Sequence, residues 1–254
     1  MPRFKDSAVC LRLVEYSESS QVVVLLTQAH GKVRGLAKGS RRLAPSSIER
    51  FSGGMELLHR GQVVATTRPS SELAAITEWD LQDDAYHLRQ SLSAQRVALY
   101  AADLTHALLA DLDPHPETFL ALIALLDALK ATNEDTQAVA LLRFQWALLD
   151  DAGYRPVLDH DALHDAELRD AEAYTFDAQA GGFTADDGRS SWRVRHRTLE
   201  ALRRIATHDG NELDAESSGR ANRLLAAYAR ELIGRELPTM SIALEARHGA
   251  SPER

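Results

Sequence analysis

The chain has 254 residues, of which 44% are hydrophobic and 26% are charged, an ordinary composition for one large or two small globular domains. No apolar run approaches the roughly 18 residues that a membrane-spanning helix needs. The opening segment MPRFKDSAVC lacks the apolar stretch of a signal peptide. Cys10 is the single cysteine, so no disulfide can form within the chain. We therefore expect a cytoplasmic protein that does not act in a membrane.

Charge is divided unevenly along the sequence. The formal net charge is -8, yet residues 1–70 contain eleven Lys or Arg against five Asp or Glu. Residues 71–254 then carry 18 basic and 32 acidic residues, an excess of 14 negative charges. Because the local potential rather than the total charge attracts phosphates, the first part of the chain is the better candidate for binding nucleic acid.

Short strands are predicted over about the first 80 residues. In the first of them, alternation places Arg12 on the same face as Ala8 and Cys10. Gly31 can take a positive φ in the turn before the third strand, and residues 39–47 read as a polar, basic loop. Short strands without intervening helices favour a small barrel. The predicted strands are 7–16, 21–27, 32–37, 54–59, 62–67 and 73–79.

Helical periodicity begins after about residue 85. Pro116 suits the first turn of a helix, Gly153 suits a left-handed cap, and Gly234 with Pro238 is predicted to end the last helix. Residues 154–192 show no sustained period. The sequence thus predicts an α+β chain, with a β-barrel over 1–82 and a mainly α-helical domain over 83–254. The apolar stripes are Val97, Ala101, Leu104 and Leu108; Phe119, Leu122, Ile123, Leu126 and Leu129; Val139, Leu142, Trp146 and Leu149; Leu199, Leu202 and Ile205; and Leu224, Leu225, Tyr228 and Leu232.

Five basic residues follow the second predicted strand: Lys32, Arg34, Lys38, Arg41 and Arg42. Lys32 and Arg34 are two residues apart, so both side chains leave the same face of the third strand. Arg can hold phosphate oxygens through two hydrogen bonds, whereas Lys acts as a point charge. One interpretation is a phosphate-binding surface. The other is a solvated, charged edge that keeps strands from aggregating.

Other chemistry is weakly represented in the sequence. No Gly-x-Ser-x-Gly, His-Glu-x-x-His or Gly-Lys-Thr pattern occurs, so we predict no catalytic residue, no cofactor and no enzyme activity. Cys10 lies within a strand pattern and reads as a packed hydrophobe. Phe4, Tyr16 and Phe51 are the only aromatic residues before Trp79, which favours contact with a nucleic-acid backbone over base stacking.

The N-terminal segment contains four short elements in a fixed order: Glu18-Ser19, Leu26-Thr27, His30-Gly31-Lys32 and Lys38-Gly39-Ser40-Arg41-Arg42. In this order and spacing the segment resembles the barrel of the RecO family of recombination mediators. The resemblance implies an OB-fold followed by a helical domain. We predict that the barrel binds DNA phosphates through the five basic residues. The resemblance also implies binding to single- and double-stranded DNA, annealing of complementary strands, and loading of recombinase onto single strands coated with single-stranded DNA-binding protein (SSB), in the RecF pathway. The implied partners are DNA, RecR and SSB, at the nucleoid.

A four-cysteine zinc site found in many family members is expected to be lost here. Asp161 and His164 stand where the first cysteine pair would be, and Ala185 and Gly188 where the second would be. Ala and Gly have no metal-binding side chain, whereas a structural zinc site requires four ligands, mostly Cys and His. We therefore predict no bound metal in the degenerate zinc region within 154–192.

Two alternatives to a DNA-binding mediator remain open. The first is a metal-dependent enzyme that uses the acidic and histidine cluster at 159–165, which includes His160 and Asp165. The second is a scaffold that binds proteins and not DNA. The sequence also leaves two interpretations of Arg220, Arg223 and Arg230 on the last predicted helix, as an extension of the DNA path or as a solvated helix face.

Overall fold

The computed structural model describes residues 2–68, 71–131, 133–164, 166–185, 192–207 and 213–245. These residues belong to two compact units, 1–126 and 127–254. None of the described helices combines the length and the apolar character needed to cross a membrane.

A closed barrel forms the first part of the first unit. Its elements are β1 (Arg3–Ser17), β2 (Ser20–Thr27), β3 (Gly31–Ala37), α1 (Pro45–Arg50), β4 (Phe51–Ser52), β5 (Arg60–Arg68) and β6 (Ser71–Asp83). The main strands follow the order β3-β2-β1-β5-β6, and a parallel pairing of β3 with β6 closes the ring. A five-stranded barrel with Greek-key connections of this kind is the OB-fold. The predicted α+β class with an N-terminal OB-fold is confirmed.

The barrel interior is apolar and tightly filled. Cys10, Val23, Leu25, Val63 and Trp79 are almost completely buried there. Burial raises the pKa of the Cys10 thiol to about 12, so this side chain stays protonated and packs as a small hydrophobe. The inward positions of β2 are 23 and 25, and therefore positions 22, 24 and 26 face outward.

Two local predictions in the barrel are wrong. Residues 54–59 do not form a strand, and Leu58 in this segment takes a φ of 66°, which is outside the extended region that a strand needs. Residues Pro45–Arg50 form α1, partly within the predicted loop. Gly31 does take a positive φ, and a Cβ there would meet the backbone of Asp113.

Helices continue the first unit beyond the barrel. A 3₁₀ turn at Tyr86–Gln90 leads to α2 (Leu92–Leu108), which Ser91 caps by accepting a hydrogen bond from the backbone N–H of Ala94. The next helix, α3 (Pro116–Ala128), begins at Pro116 as predicted. The end of β6 lies close to the predicted boundary at 82, but α2 and most of α3 belong to the same compact unit as the barrel.

The second unit combines helices with a small sheet. Its strands are β7 (Ala173–Asp177), β8 (Gly182–Ala185) and β9 (Arg193–Arg195), which pair antiparallel in the order β8-β7-β9. The first two lie within the stretch 154–192, for which the sequence predicted no regular structure. Pro238 does not end a helix but begins α7 (Pro238–Glu245). Proline suits this position because a backbone N–H in the first turn of a helix has no partner within the helix, so a residue without an N–H loses no hydrogen bond there. The unit also contains α4 (Glu134–Asp151), α5 (His196–Ala206) and α6 (Ala215–Ile233).

Candidate nucleic-acid interface

The outer face of the barrel carries a row formed by Arg12, Val24 and Arg34. Val24 on β2 pairs with Arg12 on β1 and with Arg34 on β3, and position 24 faces outward. A β-bulge lies between Cys10 and Arg12, and its extra residue reverses the facing of the later part of β1. Arg12 therefore does not share a face with Cys10, contrary to the prediction from simple alternation. Both arginines are exposed.

A basic loop extends this row beyond the end of β3. The backbone N–H of Gly39 donates to Ser20 Oγ at 3.1 Å, and that of Arg41 donates to the carbonyl of Ser19 at 3.2 Å. These bonds hold the loop against the β1–β2 turn, and they leave Lys38 and Arg42 exposed. We call the set Arg12, Arg34, Lys38, Arg41 and Arg42 the barrel cationic face.

One member of this face already has a carboxylate partner. Arg41 Nη1 lies 2.9 Å from Glu15 Oε1, and both side chains are largely solvated. Exposed pairs of this kind contribute only about 0–1 kcal/mol, so a phosphate can replace the glutamate at small cost. Among the described residues, Arg34, Lys38 and Arg42 form no ion pair.

Lys32 is buried, and its side chain anchors α2 to the barrel. Its Nζ donates to the carbonyls of His106 at 2.7 Å and Leu109 at 2.6 Å and lies 3.2 Å from Asp111 Oδ1. A cation is favourable at this position because the last carbonyls of a helix lack partners within it. Lys32 therefore leaves the face, because its Nζ is buried against the end of α2, while Arg34 on the same strand stays exposed.

We expect that Lys32→Met lowers the free energy of unfolding by about 2–3 kcal/mol, because the carbonyls of His106 and Leu109 lose a charged donor and Asp111 loses its counter-ion. The salt dependence of DNA binding should stay as in the parent chain. Urea unfolding and a binding titration measure the two quantities, with Lys5→Met, at an exposed position outside the barrel cationic face, as the control. A stable Lys32→Met chain with weakened DNA binding would return Lys32 to the phosphate-binding set.

Of the three aromatic residues Phe4, Tyr16 and Phe51, only Tyr16 has an exposed side chain. Phe4 stacks on His30 with ring centroids 4.0 Å apart, and Phe51 is buried. Tyr16 is 65% exposed and adjoins Glu15, the partner of Arg41. The sequence identified Tyr16 only as one of the few aromatic residues before Trp79, because the sequence pattern does not show which aromatic side chains face solvent. Its exposed ring is one on which a base can stack.

Asp161 organises the region that resembles a degenerate zinc site. Its Oδ1 accepts from the backbone N–H of Leu163 and of His164, each at 3.0 Å, and Nδ1 of His164 lies 3.0 Å away. Its Oδ2 accepts from Thr184 Oγ1 at 2.7 Å and from the N–H of Ala185 at 3.2 Å. Burial opposes ionisation of Asp161, but these hydrogen bonds outweigh it, and its pKa is lowered.

These residues do not fit a zinc ion. Both Asp161 oxygens already accept hydrogen bonds from N–H and O–H groups, and Ala185 has no side-chain atom that could coordinate a metal. Gly188 and Asp165 lie outside the described residues. Within the described ranges, no group of three or more His, Cys, Asp or Glu side chains is placed to hold a metal ion. Asp161 thus links the turn at 162–164 to the end of β8 by hydrogen bonds, at the position where the family resemblance implies a metal.

A barrel of this topology followed by a helical unit places the chain among the OB-fold proteins, a class whose barrel face binds oligonucleotides or oligosaccharides. Residues 1–84 match the family model for the recombination protein O N terminal region, and residues 89–241 match that for its C terminal region.

The relatives agree with the family models. The chain is 32% identical to the DNA repair protein RecO of Myxococcus xanthus (strain DK1622) over 245 residues, which cover 94% of this chain and 96% of that protein. It is 36% identical to the DNA repair protein RecO of Anaeromyxobacter sp. (strain K) over 182 residues, 72% of this chain and 69% of that one. The chain belongs to the RecO family of DNA repair proteins.

Proposed function

We propose that this chain is a non-enzymatic recombination mediator that binds single- and double-stranded DNA through the barrel cationic face. The observation that carries the proposal is the open row of Arg12 and Arg34, continued by Lys38 and Arg42 at the end of β3. In OB-folds, the face of the second and third strands and the adjoining loops bind oligonucleotides. Basic side chains in this arrangement can contact the phosphates of DNA whatever the base sequence is.

Annealing would result from the neutralisation of phosphates. Each basic side chain that contacts a phosphate releases condensed counterions, so binding is strongest at low salt. Two complementary strands repel one another less when cations of the protein neutralise part of their charge. Tyr16 would hold an unpaired base without preference for sequence, since every base has a π-face.

The proposal extends to partners that the chain would meet during repair. We propose that it helps to load recombinase onto single strands coated with SSB, in the RecF pathway, and binds RecR and SSB. Such a role places it in the cytoplasm, in association with the nucleoid. The acidic second part of the chain suits protein partners better than phosphates over most of its surface.

Strand annealing in the presence of SSB tests the proposal. The parent chain should accelerate annealing of complementary strands already coated with SSB, and a variant with Arg34, Lys38 and Arg42 replaced by Ala should do so about tenfold more slowly. A chain that binds SSB but neither binds DNA nor accelerates annealing would be a protein scaffold, and the proposal would be wrong.

A further inference from the structure

The second unit contains a groove lined by five arginines. On α6, Arg220, Arg223 and Arg230 lie on one side of the helix, and Arg193 and Arg195 of β9 line the same groove of about 440 Å³. No acidic residue lines it within the described ranges. We call this set the arginine groove. Five positive charges stand together in a part of the sequence that is otherwise strongly acidic.

The arginines are presented to solvent to different degrees. Arg195 and Arg223 are exposed, and neither makes an ion pair or side-chain hydrogen bond with another described residue. Arg220 contacts Glu216, and Arg230 lies 3.3 Å from Glu231. These are pairs on the helix surface, which cost little to exchange for an external anion.

The shape of the charge distribution points to a polymer. Arg220 and Arg230 are ten residues apart on α6, which is about 15 Å along a helix. A run of charge of that length matches successive phosphates better than a single carboxylate. Arginine also suits this ligand chemically, because its planar fork can hold two oxygens of one phosphate.

An aromatic ring at the groove favours unpaired bases. Trp192 lines the groove and is half-buried, and its ring stacks on Phe176 with centroids 5.9 Å apart and an interplanar angle of 19°. Leu224 and Ala227 add apolar surface between the arginines. Bases of a single strand can contact such a surface, whereas bases within a duplex are already stacked.

We propose that the arginine groove is a second binding site for single-stranded DNA, separate from the barrel cationic face. With two sites, one chain could hold two complementary strands at once and raise their effective concentration. The use of the groove in annealing rests on the proposed function, but its affinity for DNA can be measured independently.

A titration of full-length variants tests the proposal. The probe is a labelled thymidine oligomer of about 12 nucleotides, within the site sizes known for OB-folds. The groove variant carries Arg195→Ala and Arg223→Ala, which remove no ion pair between described residues and should leave the melting temperature unchanged. The matched control carries Arg204→Ala and Arg235→Ala, since both residues are exposed and neither lines the groove.

The parent chain and the control should bind two oligomers per chain at low salt, and the groove variant should bind one. The dependence of log K on log salt should become flatter by about 1.4 in the groove variant, since each lost phosphate contact of a single strand removes about 0.7. The barrel variant with Arg34, Lys38 and Arg42 replaced should also bind one oligomer, which separates the two sites.

Other outcomes distinguish the failure of either idea. An unchanged groove variant beside a weakened barrel variant would overturn the second site and leave the proposed function standing. A weakened groove variant beside an unchanged barrel variant would support the groove and refute the barrel assignment. If the groove variant lost only the binding of an acidic peptide, the groove would be a protein-docking surface and the inference would be wrong.

Discussion

Replacement of Asp161 by Ala is expected to lower the free energy of unfolding by about 3 kcal/mol at neutral pH, because several donors, the buried hydroxyl of Thr184 among them, lose a charged acceptor at once. The carboxylate joins residues 163–164 to the end of β8 through backbone and side-chain bonds. A buried N–H or O–H group without an acceptor is costly. Asp161 therefore supports this region in the way that a metal ion would.

The pH dependence of this effect has a definite sign. The pKa of Asp161 is lowered in the folded chain, whereas in the unfolded chain it returns to about 3.9. The stabilisation is therefore fully present above the pKa that Asp161 has in the unfolded chain, and it is lost as pH falls through the pKa that Asp161 has in the folded chain. The difference between the parent chain and Asp161→Ala should be constant near neutrality and shrink below about pH 4.

Urea unfolding at several pH values measures this difference, with the exposed neighbour Asp159→Ala as the matched control. The parent chain should contain no stoichiometric zinc, and a chelator should leave its unfolding curve unchanged. One tightly held zinc per chain, or equal unfolding curves for Asp161→Ala and Asp159→Ala, would show that hydrogen bonding by Asp161 does not hold this region together.

The sequence predicts the barrel and the helices well where a pattern repeats over several turns or residues. The stripe of Val97, Ala101 and Leu104 lies within α2, and its residues are buried. The strands of the second unit were missed because β8 and β9 have only four and three residues, too few for alternation to stand out. Helix α1 is missed for the same reason.

The functional residues were harder to place, because their roles depend on distant parts of the chain. The partners of Lys32 lie 74 to 79 residues further on, so a strand pattern cannot tell an anchoring lysine from a solvated one. The outward facing of Arg12 could not be predicted, because the β-bulge before it changes which side chains face outward and no residue type in the strand signals a bulge. Arg34 is placed as expected, since the predicted third strand and its outward facing are regular.

The central claim is that DNA phosphates bind to the barrel cationic face. Its main test replaces Arg34, Lys38 and Arg42 by Ala in the full-length chain. These side chains are exposed and form no ion pair among the described residues, so the fold should be unaffected. A control variant replaces Lys5, Arg68 and Arg89, three exposed basic residues of the same unit outside the face, and removes the same charge.

The measurement is the affinity for a labelled single strand over a series of salt concentrations. Three lost phosphate contacts should flatten the slope of log K against log salt by about 2.1, equally for strands of different sequence. The control variant should keep a slope close to that of the parent chain. A slope that stays unchanged in the Arg34, Lys38 and Arg42 variant, or falls equally in the control, would contradict the assignment of DNA to this face.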